Sequence, residues 1–492
     1  MKYNSFFNIG ISILLLSPLL LYAENSADLT EPMKQSLVFL EISSSRYEQY
    51  QPWKQTAISK EEGFGCAVGP NEVLTTAENV INAKFVQARC YGQNEYIPAK
   101  VQVVDYEYNL CLLELDASAM ERPLVPLTFA EQFPKGSQLN VYWLSSGGHL
   151  TNARCTLDRA EMQNSSISFV SNLIFFAANV SRPFGDGEVC SYGNEVIGMA
   201  CWGTSSDSGI IPAETINRFL THCKKEGYSG FGVPGFDIYE LLDPAMRKFL
   251  KLPDEIKHGV YVGAVYTLGT GSRELKSGDV ILAIDGQSLN PYGRYAHPLY
   301  DRISFSNLIL QKPDGSIIPF EIFRDGQKII IHVTARNIKS KEMLIPYYLY
   351  SEQPEYIVLG GYVLQKLSRD YLTMWGSDWA GKVPPHLYHY YKDLSFKPSD
   401  ERKDIVVLSY VLPSEINLGY QQLSRLVVDS VNGKKIKEIK DILDIIQTDN
   451  SDFIEISFEL DSPTVIIQKD KLNEANMQIA QMYGIPKLIN VN

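Results

Sequence analysis

Between Ser36 and about Pro212 the chain consists of short apolar segments separated by glycine, proline, asparagine or aspartate. Segments such as SLVFLEI, KVQVVD, LCLLEL and QLNVYWL are rich in β-branched, leucine and aromatic residues. Strands this short and this frequent are typical of all-β barrels and sandwiches. The pattern therefore predicts a mostly β domain, followed by a helix in AETINRFLTHCKKEG, where Ile216, Phe219 and Leu220 share one face.

Two stretches in the second half of the chain resemble each other. SGDVILAIDGQSL and LSRLVVDSVNGKKI both join an apolar strand to a turn pair, Asp285-Gly286 in the first and Asn432-Gly433 in the second. Such self-similarity indicates a repeated structural unit, here a small α/β module. A chain of 492 residues is expected to divide into several domains. We place them at residues 30–228, 229–340 and 341–492, the last including a connecting segment.

The N-terminus has the pattern of an export signal. Lys2 precedes a nearly continuous apolar run from Ile9 to Leu21, and Ala23 is a suitable cleavage position. An uncleaved anchor facing outward is the alternative, but the run is short for a membrane span and contains Pro18. The sequence therefore predicts a signal peptide over residues 1–23 and an exported protein, periplasmic or secreted. It would contact a membrane only if the signal stayed uncleaved.

Charge and cysteine content exclude several classes of function. The formal charge of −12 disfavours a nucleic-acid partner, because an acidic surface repels phosphates. The seven cysteines include no CxxC pair and no Cys/His cluster with metal-ligand spacing, so we expect neither a metal nor a cofactor. An odd number leaves at least one thiol unpaired. We expect buried cysteines with at most one bridge, whose partners the sequence does not specify.

The segment GFGCAVGPNEVLTTAENV resembles the first half of the barrel domain of the trypsin-like HtrA/Deg proteases. In that family a glycine-rich strand and a Pro-Asn or Pro-Asp turn precede Leu-Thr, and the catalytic histidine follows shortly after. The residues that match are Gly65, Gly69, Pro70, Leu74 and Thr75. The position of the histidine is occupied by Glu78.

Two further segments resemble the rest of the family's catalytic set. VDYEYNLCLLELD corresponds to the segment that carries the catalytic aspartate, and that position is Asn109. RPFGDGEVCSYGNEVIG corresponds to the nucleophile loop and its following strands, so the serine position is Gly185, Asp186 or Gly187. The resemblance thus implies a trypsin-like double β-barrel, followed by two PDZ-like α/β modules, with a degenerate triad.

The chemistry of these residues argues against serine-protease catalysis. A triad needs a hydroxyl nucleophile, an imidazole base and a carboxylate that orients the base. Glutamate has a pKa near 4.3 and is a much weaker base than histidine. Glu188 also places negative charge close to where an oxyanion must be stabilised. The alternative nucleophile is Cys190, beside Ser191, although strand alternation favours a core position for it.

The second half resembles HtrA PDZ domains more closely. GFGVPGFDI is similar to their carboxylate-binding loop and the strand after it. The loop residues are Gly230, Phe231, Gly232 and Val233. The corresponding residues of the second copy are Gly361, Tyr362 and Val363, preceded by Gly360. The resemblance implies that a peptide adds as a β-strand and that loop amides hold its free C-terminus.

Taken together, these features predict a catalytically inactive HtrA/Deg-like envelope protein. Its expected partners are unfolded or extended polypeptides and protein C-termini, in a chaperone-like or adaptor role in protein quality control. One alternative is an active serine endopeptidase with a non-standard catalytic set. Another is a PDZ scaffold that supports assembly, including assembly of a homo-oligomer.

The export signal gives the first testable prediction. We expect the mature protein to begin at or near Glu24, because Ala23 ends the apolar signal. N-terminal sequencing of the protein from the cell envelope measures this directly. An intact Met1 in the membrane fraction would show an anchor instead.

Overall fold

The computed structural model describes residues 30–460 and 462–491. The predicted signal peptide, residues 1–23, lies outside the described residues. The described chain is mostly β, which confirms the predicted fold class: two closed barrels come first and two sheet-based modules follow. Strand alternation builds the barrel cores. In KFVQARC, for example, Val86, Ala88 and Cys90 point inward.

Six strands close the first barrel in the order β1-β2-β3-β6-β5-β4. These strands are β1 (Leu37–Ser44), β2 (Ser59–Ala67), β3 (Glu72–Thr75), β4 (Ala83–Cys90), β5 (Ile97–Asp105) and β6 (Leu110–Leu115). Helix α1 (Thr30–Ser36) precedes them, and short 3-10 helices span Glu78–Val80 and Ala117–Ala119.

The second barrel closes in the order β10-β11-β12-β9-β8-β7. Its strands are β7 (Gln138–Leu144), β8 (Leu150–Asn164), β9 (Ser171–Ala178), β10 (Val189–Tyr192), β11 (Glu195–Gly203) and β12 (Asp207–Pro212). The predicted helix follows as α2 (Ala213–His222) and buries Ile216 and Phe219.

The first module is an antiparallel sheet in the order β13-β14-β15-β19-β20, with β16 paired to β15 and a separate hairpin of β17 and β18. Its elements are β13 (Phe236–Glu240), α3 (Pro244–Phe249), β14 (Val260–Val265), β15 (Val280–Ile284), β16 (Gln287–Ser288), β17 (Arg294–His297), β18 (Asp301–Ser304), α4 (Ser306–Leu310), β19 (Ile317–Arg324) and β20 (Gln327–Thr334), with a 3-10 turn at Ser340–Glu342.

The second module is an eight-stranded sheet in the order β27-β26-β24-β23-β22-β21-β28, with β25 paired to β24. Its elements are β21 (Tyr356–Leu359), β22 (Tyr362–Lys366), α5 (Arg369–Leu372), α6 (Trp379–Lys382), α7 (Pro385–Leu394), β23 (Val406–Val411), β24 (Leu426–Val431), β25 (Lys434–Lys435), α8 (Lys440–Thr448), β26 (Phe453–Phe458), β27 (Val465–Gln468), α9 (Lys469–Tyr483) and β28 (Ile489–Asn490), with 3-10 turns at Thr373–Trp375 and Glu415–Asn417.

The two modules use the same tight turn at the repeated motif. Asp285 and Gly286 both have positive φ, at 50° and 76°, and Asn432 and Gly433 do the same at 46° and 71°. Asparagine, aspartate and glycine tolerate this left-handed conformation, which matches the twist of a two-residue hairpin. The sequence repeat is therefore a repeat of backbone conformation.

Both modules pack against the barrels at the turn between β5 and β6. On the side of the second module, Tyr348 donates its hydroxyl to Glu107 Oε1 at 2.6 Å. The ring of Tyr106 contacts the rings of Tyr348 and Tyr350, with centroids 5.1 and 4.8 Å apart. Asn172 of the second barrel donates to the Glu107 carbonyl at 2.5 Å. This turn therefore joins three parts of the molecule.

The first module holds the same turn from the other side. Tyr108 stacks on Phe231 with centroids 4.3 Å apart and donates its hydroxyl to the carbonyl of Leu310. Tyr228, just before the module, donates to the buried carboxylate of Asp105. The aromatic contact across the domain boundary buries Phe231 to 3% exposure.

We expect Phe231→Ala to lower the free energy of unfolding by about 3–5 kcal/mol, because it leaves a cavity against Tyr108. It should also make the connection between barrel and module more sensitive to limited proteolysis. Chemical denaturation measures the first effect. The control is Phe249→Ala in the same module, where the ring is 79% exposed and the change should stay within about 0.5 kcal/mol. Equal stability of the two variants would contradict the predicted role of Phe231.

Candidate active site

The structure brings the predicted triad positions together. Glu78 begins the 3-10 helix after β3, and Asn109 immediately precedes β6 with a positive φ of 55°. Asn109 Oδ1 accepts the backbone N–H of Glu78 at 2.9 Å. The side chain at the aspartate position therefore orients the backbone at the histidine position. In a triad it would accept a hydrogen bond from an imidazole, and Glu78 has none.

The loop at the nucleophile position lies against the same 3-10 helix. Asn79 Nδ2 donates to Thr75 Oγ1 at 2.9 Å and to the carbonyl of Asp186 at 2.8 Å. The same carbonyl accepts the backbone N–H of Phe64 at 2.9 Å. These hydrogen bonds fix residues 185–187 to the first barrel, beside Glu78.

Of the three serine positions, only Asp186 has room for a side chain. A Cβ at Gly185 would collide with the backbone of Trp202 and Gly203. A Cβ at Gly187, whose φ is 105°, would collide with the carbonyl of Phe64. The two glycines are required by these close backbone approaches, so a serine nucleophile fits neither position.

Glu188 accepts hydrogen bonds from two backbone amides of the nucleophile loop. Its side chain is 2% exposed, and Oε2 accepts the N–H of Gly185 at 2.9 Å and that of Asp186 at 2.7 Å. Burial raises the pKa of Glu188 to about 7, and the charge of Asp186 adds to the shift. In acyl transfer such amides stabilise the developing negative charge. Here an internal carboxylate already occupies them.

The two carboxylates of the site, Glu78 and Asp186, both reach the surface. Partial burial raises the pKa of Glu78, and the nearby charge of Asp186 raises it further. Partial burial also raises the pKa of Asp186. Like charges at close range favour the protonated form of one partner. The site therefore presents an acidic pair where a serine protease has a hydroxyl and an imidazole.

Trp202 fills the side of the site formed by the second barrel, a feature that the motif comparison missed. Its indole lies directly over Gly209 on β12, where a Cβ would collide with the ring. The indole N–H donates to Gln163 Oε1 at 2.9 Å, and the ring contacts Phe176. The cavity beside Asn109 and Trp202 measures about 30 Å³, room for about one water molecule.

Cys190 does not serve as an alternative nucleophile. It lies on β10, is 0% exposed and packs in the core of the second barrel. Burial raises the pKa of its thiol well above the ordinary value, and a thiol that stays protonated is a poor nucleophile. Ser191 is also buried and donates to the carbonyl of Asn140 at 3.3 Å. All seven cysteines have free thiols and are buried.

The predicted carboxylate-binding loop of the first module, Gly230 to Val233, packs inside the fold. Phe231 packs against the barrel domain, and the isolated bridge between Phe231 and Pro313 holds the loop within the fold. The N–H of Gly232 donates to the carbonyl of Lys312 at 2.8 Å, and that of Val233 to the carbonyl of Arg336 at 2.9 Å. These amides are satisfied internally and do not point at a ligand.

The predicted loop of the second module, Gly361 to Val363, is also closed. Strand β22, which contains Tyr362 and Val363, is paired on one side with β21 and on the other with β23. The N–H of Gly360 donates to Asn476 Oδ1 at 2.8 Å, from helix α9. A peptide would have to displace β21 to pair here, so the expected strand-addition site is occupied by the chain itself.

An available edge lies instead at β13, the terminal strand of the first module's sheet among the described residues. Tyr239 and Leu242, on this strand and just beyond it, are 62% and 49% exposed. An exposed edge with apolar side chains is a surface to which an extended chain can add. This strand, in FDIYELL, directly follows the predicted loop and is the edge at which the resemblance implies strand addition.

The chain is similar to several known proteins. A family model described as PDZ domain matches residues 345–489. Protease Do-like 2, chloroplastic, of Arabidopsis thaliana is 26% identical over 443 residues, covering 88% of this chain and 71% of the relative. Protease Do-like 4, mitochondrial, of the same plant is 24% identical over 444 residues, covering 89% and 81%. A solved structure of the HtrA-type protease AlgW with a decapeptide has a TM-score of 0.47 and 16% identity, covering 64% of this chain and 99% of that one.

The fold and the converging triad positions define the class: a protein with a trypsin-like double barrel followed by PDZ-like modules. Within that class the chain is similar to the HtrA/Deg family, since the Do-like proteases match it over nearly the whole of its length.

No group of histidine, cysteine, aspartate and glutamate side chains within residues 30–460 and 462–491 has the arrangement of a metal site. Over the same residues, no helix combines the length and the apolar character needed to cross a membrane.

The raised pKa of Glu188 predicts how stability depends on pH. The folded-state pKa of about 7 exceeds the ordinary value of 4.5, so the folded protein binds this proton more tightly than the unfolded chain. Raising the pH from 4.5 to about 7 therefore lowers the free energy of unfolding by about 1.4 kcal/mol per pH unit.

Glu188→Gln should remove this contribution, because a glutamine carbonyl still accepts the two amides without ionising. Between acidic and mildly alkaline pH, the melting temperature should fall less steeply with pH for the variant than for the native protein. Glu255→Gln, at an exposed loop position, is the control and should leave the decline unchanged. Parallel curves for native protein and Glu188→Gln would contradict the prediction.

Proposed function

We propose that this protein is a non-catalytic member of its family that binds extended or unfolded polypeptide. The observation that carries the proposal is the state of the nucleophile loop: its amides at 185 and 186 are held by Glu188, and two of its three residues admit no side chain. The fold keeps the frame of a protease and lacks the groups that perform the chemistry.

Each catalytic role lacks a suitable group. At the base position, Glu78 has a carboxylate in place of an imidazole, and at the orienting position Asn109 uses its carbonyl on a backbone N–H. At the nucleophile position, Asp186 has a carboxylate that Glu78 would repel when both are ionised. A Ser–His–Asp mechanism requires a proton relay between the three groups, and these three side chains cannot form it.

The proposed binding activity rests on the edge of β13. Main-chain hydrogen bonds along an exposed edge bind extended chains with little regard to sequence, and flanking side chains add selectivity. Tyr239 and Leu242 supply exposed apolar surface beside that edge. Such binding suits a holder of unfolded chains or an adaptor, acting in protein quality control outside the cytoplasm if the predicted signal at residues 1–23 is used.

The test is a casein assay on the purified mature protein. We expect no hydrolysis of fluorescent unfolded casein and no labelling by a serine-directed phosphonate, together with binding of the same casein detected by anisotropy. Hydrolysis that the phosphonate abolishes would overturn the proposal in favour of an active endopeptidase. Absence of both hydrolysis and binding would favour the assembly scaffold.

The triple variant Glu78→His, Asn109→Asp, Asp186→Ser sharpens the test. It restores a triad by residue type at the position where a side chain fits. We expect it to remain inactive, because Glu188 still holds the two loop amides. Native-like unfolding of the variant is the control for folding, and casein hydrolysis by it would show that Glu188 does not block the site.

A further inference from the structure

The four residues before β13 offer no free backbone N–H to a ligand. Three of the amides donate to carbonyls within the module, and the fourth residue is a proline. The hydrogen bonds are Gly232 to Lys312 at 2.8 Å, Val233 to Arg336 at 2.9 Å and Gly235 to Thr270 at 2.8 Å, with Pro234 between them. Capture of a terminal carboxylate needs several N–H groups that converge on it, and this segment does not supply them.

The cations next to this segment are also engaged. Lys312 pairs with Asp285 at 2.6 Å, and Arg336 pairs with Glu274 at 2.7 Å. On β13 itself, Asp237 and Glu240 are both exposed. A free C-terminal carboxylate approaching this edge would meet negative charge.

We propose that the edge of β13 binds an internal, basic segment of an extended polypeptide and does not recognise a free C-terminus. This inference rests on the proposed function and names the class of ligand for it. Strand addition needs only main-chain groups, which every internal segment has. Tyr239 and Leu242 provide apolar contacts, and Asp237 and Glu240 favour lysine or arginine between the apolar residues of the ligand.

The ring of Tyr239 leans towards β14, the strand next to β13 in the sheet. Tyr239 contacts Tyr261 on the adjacent strand and lies over Gly263, where a Cβ would collide with its ring. The ring thus lies over β14, on the inner side of β13, and the residue remains 62% exposed.

The first experiment compares three forms of one labelled peptide on the mature full-length protein. The peptide alternates valine with lysine and serine. Its forms are the free acid, the C-terminal amide and a version extended by a Gly-Ser tail. We expect dissociation constants that agree within about twofold. If amidation or extension weakens binding about tenfold or more, the range for loss of a hydrogen-bonded charge, the inference is overturned and the proposed function stands.

The second experiment reverses the charge of the edge. Asp237→Lys with Glu240→Lys should weaken binding of the lysine peptide about tenfold and strengthen binding of the same peptide with glutamate for lysine. The matched control is Asp254→Lys with Glu255→Lys, an exposed acidic pair elsewhere in the module, which should leave both affinities unchanged.

Equal effects of the two double variants would overturn the assignment of the ligand to β13. Failure of all three peptide forms and of unfolded casein to bind would overturn the proposed function itself, and the inference with it.

Discussion

The turn from Asp105 to Tyr108 is the structural element on which the arrangement of the whole molecule depends. Burial raises the pKa of Glu107 to about 8, with a further contribution from the charge of Asp105. Burying carboxyl groups costs several kcal/mol unless they find partners. The partners here come from other parts of the chain: Tyr228 for Asp105 and Tyr348 for Glu107. Docking of the modules and burial of this turn therefore stabilise each other.

This turn also leads directly into the candidate site, because Asn109 follows Tyr108. The positive φ of Asn109 and its hydrogen bond to the Glu78 N–H set the entrance of β6 against the 3-10 helix. The barrels thus hold the three predicted triad positions close together whatever side chains they carry. The strands and their pairing set the geometry of the site, whereas its chemistry depends on the side chains. In this protein the side chains of the site are the carboxyl groups of Glu78, Asp186 and Glu188.

The two modules differ in how the backbone amides of the corresponding loop and strand are hydrogen-bonded. In the first, the loop before β13 donates to carbonyls of Lys312 and Arg336 and leaves the next strand at an edge. In the second, the whole of β22 is enclosed by β21 and β23. The repeated sequence motif therefore leads to an accessible strand edge in the first module and to a strand paired on both sides in the second. An unpaired edge exposes backbone N–H and C=O groups, so proteins pair, cover or protect it.

The sequence by itself determined what local chemistry controls. Alternation in KFVQARC specified which residues face the barrel core, and Asp285-Gly286 and Asn432-Gly433 specified their turns. The motif remnants predicted that Glu78 and Asn109 occupy the positions of the catalytic pair. Only the tertiary structure decided which amides are free. The partners of Gly232, Val233 and Gly360 lie about 80 to 116 residues away along the chain, at Lys312, Arg336 and Asn476. A glycine-rich loop has the same sequence whether its N–H groups face a ligand or a distant carbonyl, because the acceptor is supplied by the packing of segments remote in sequence.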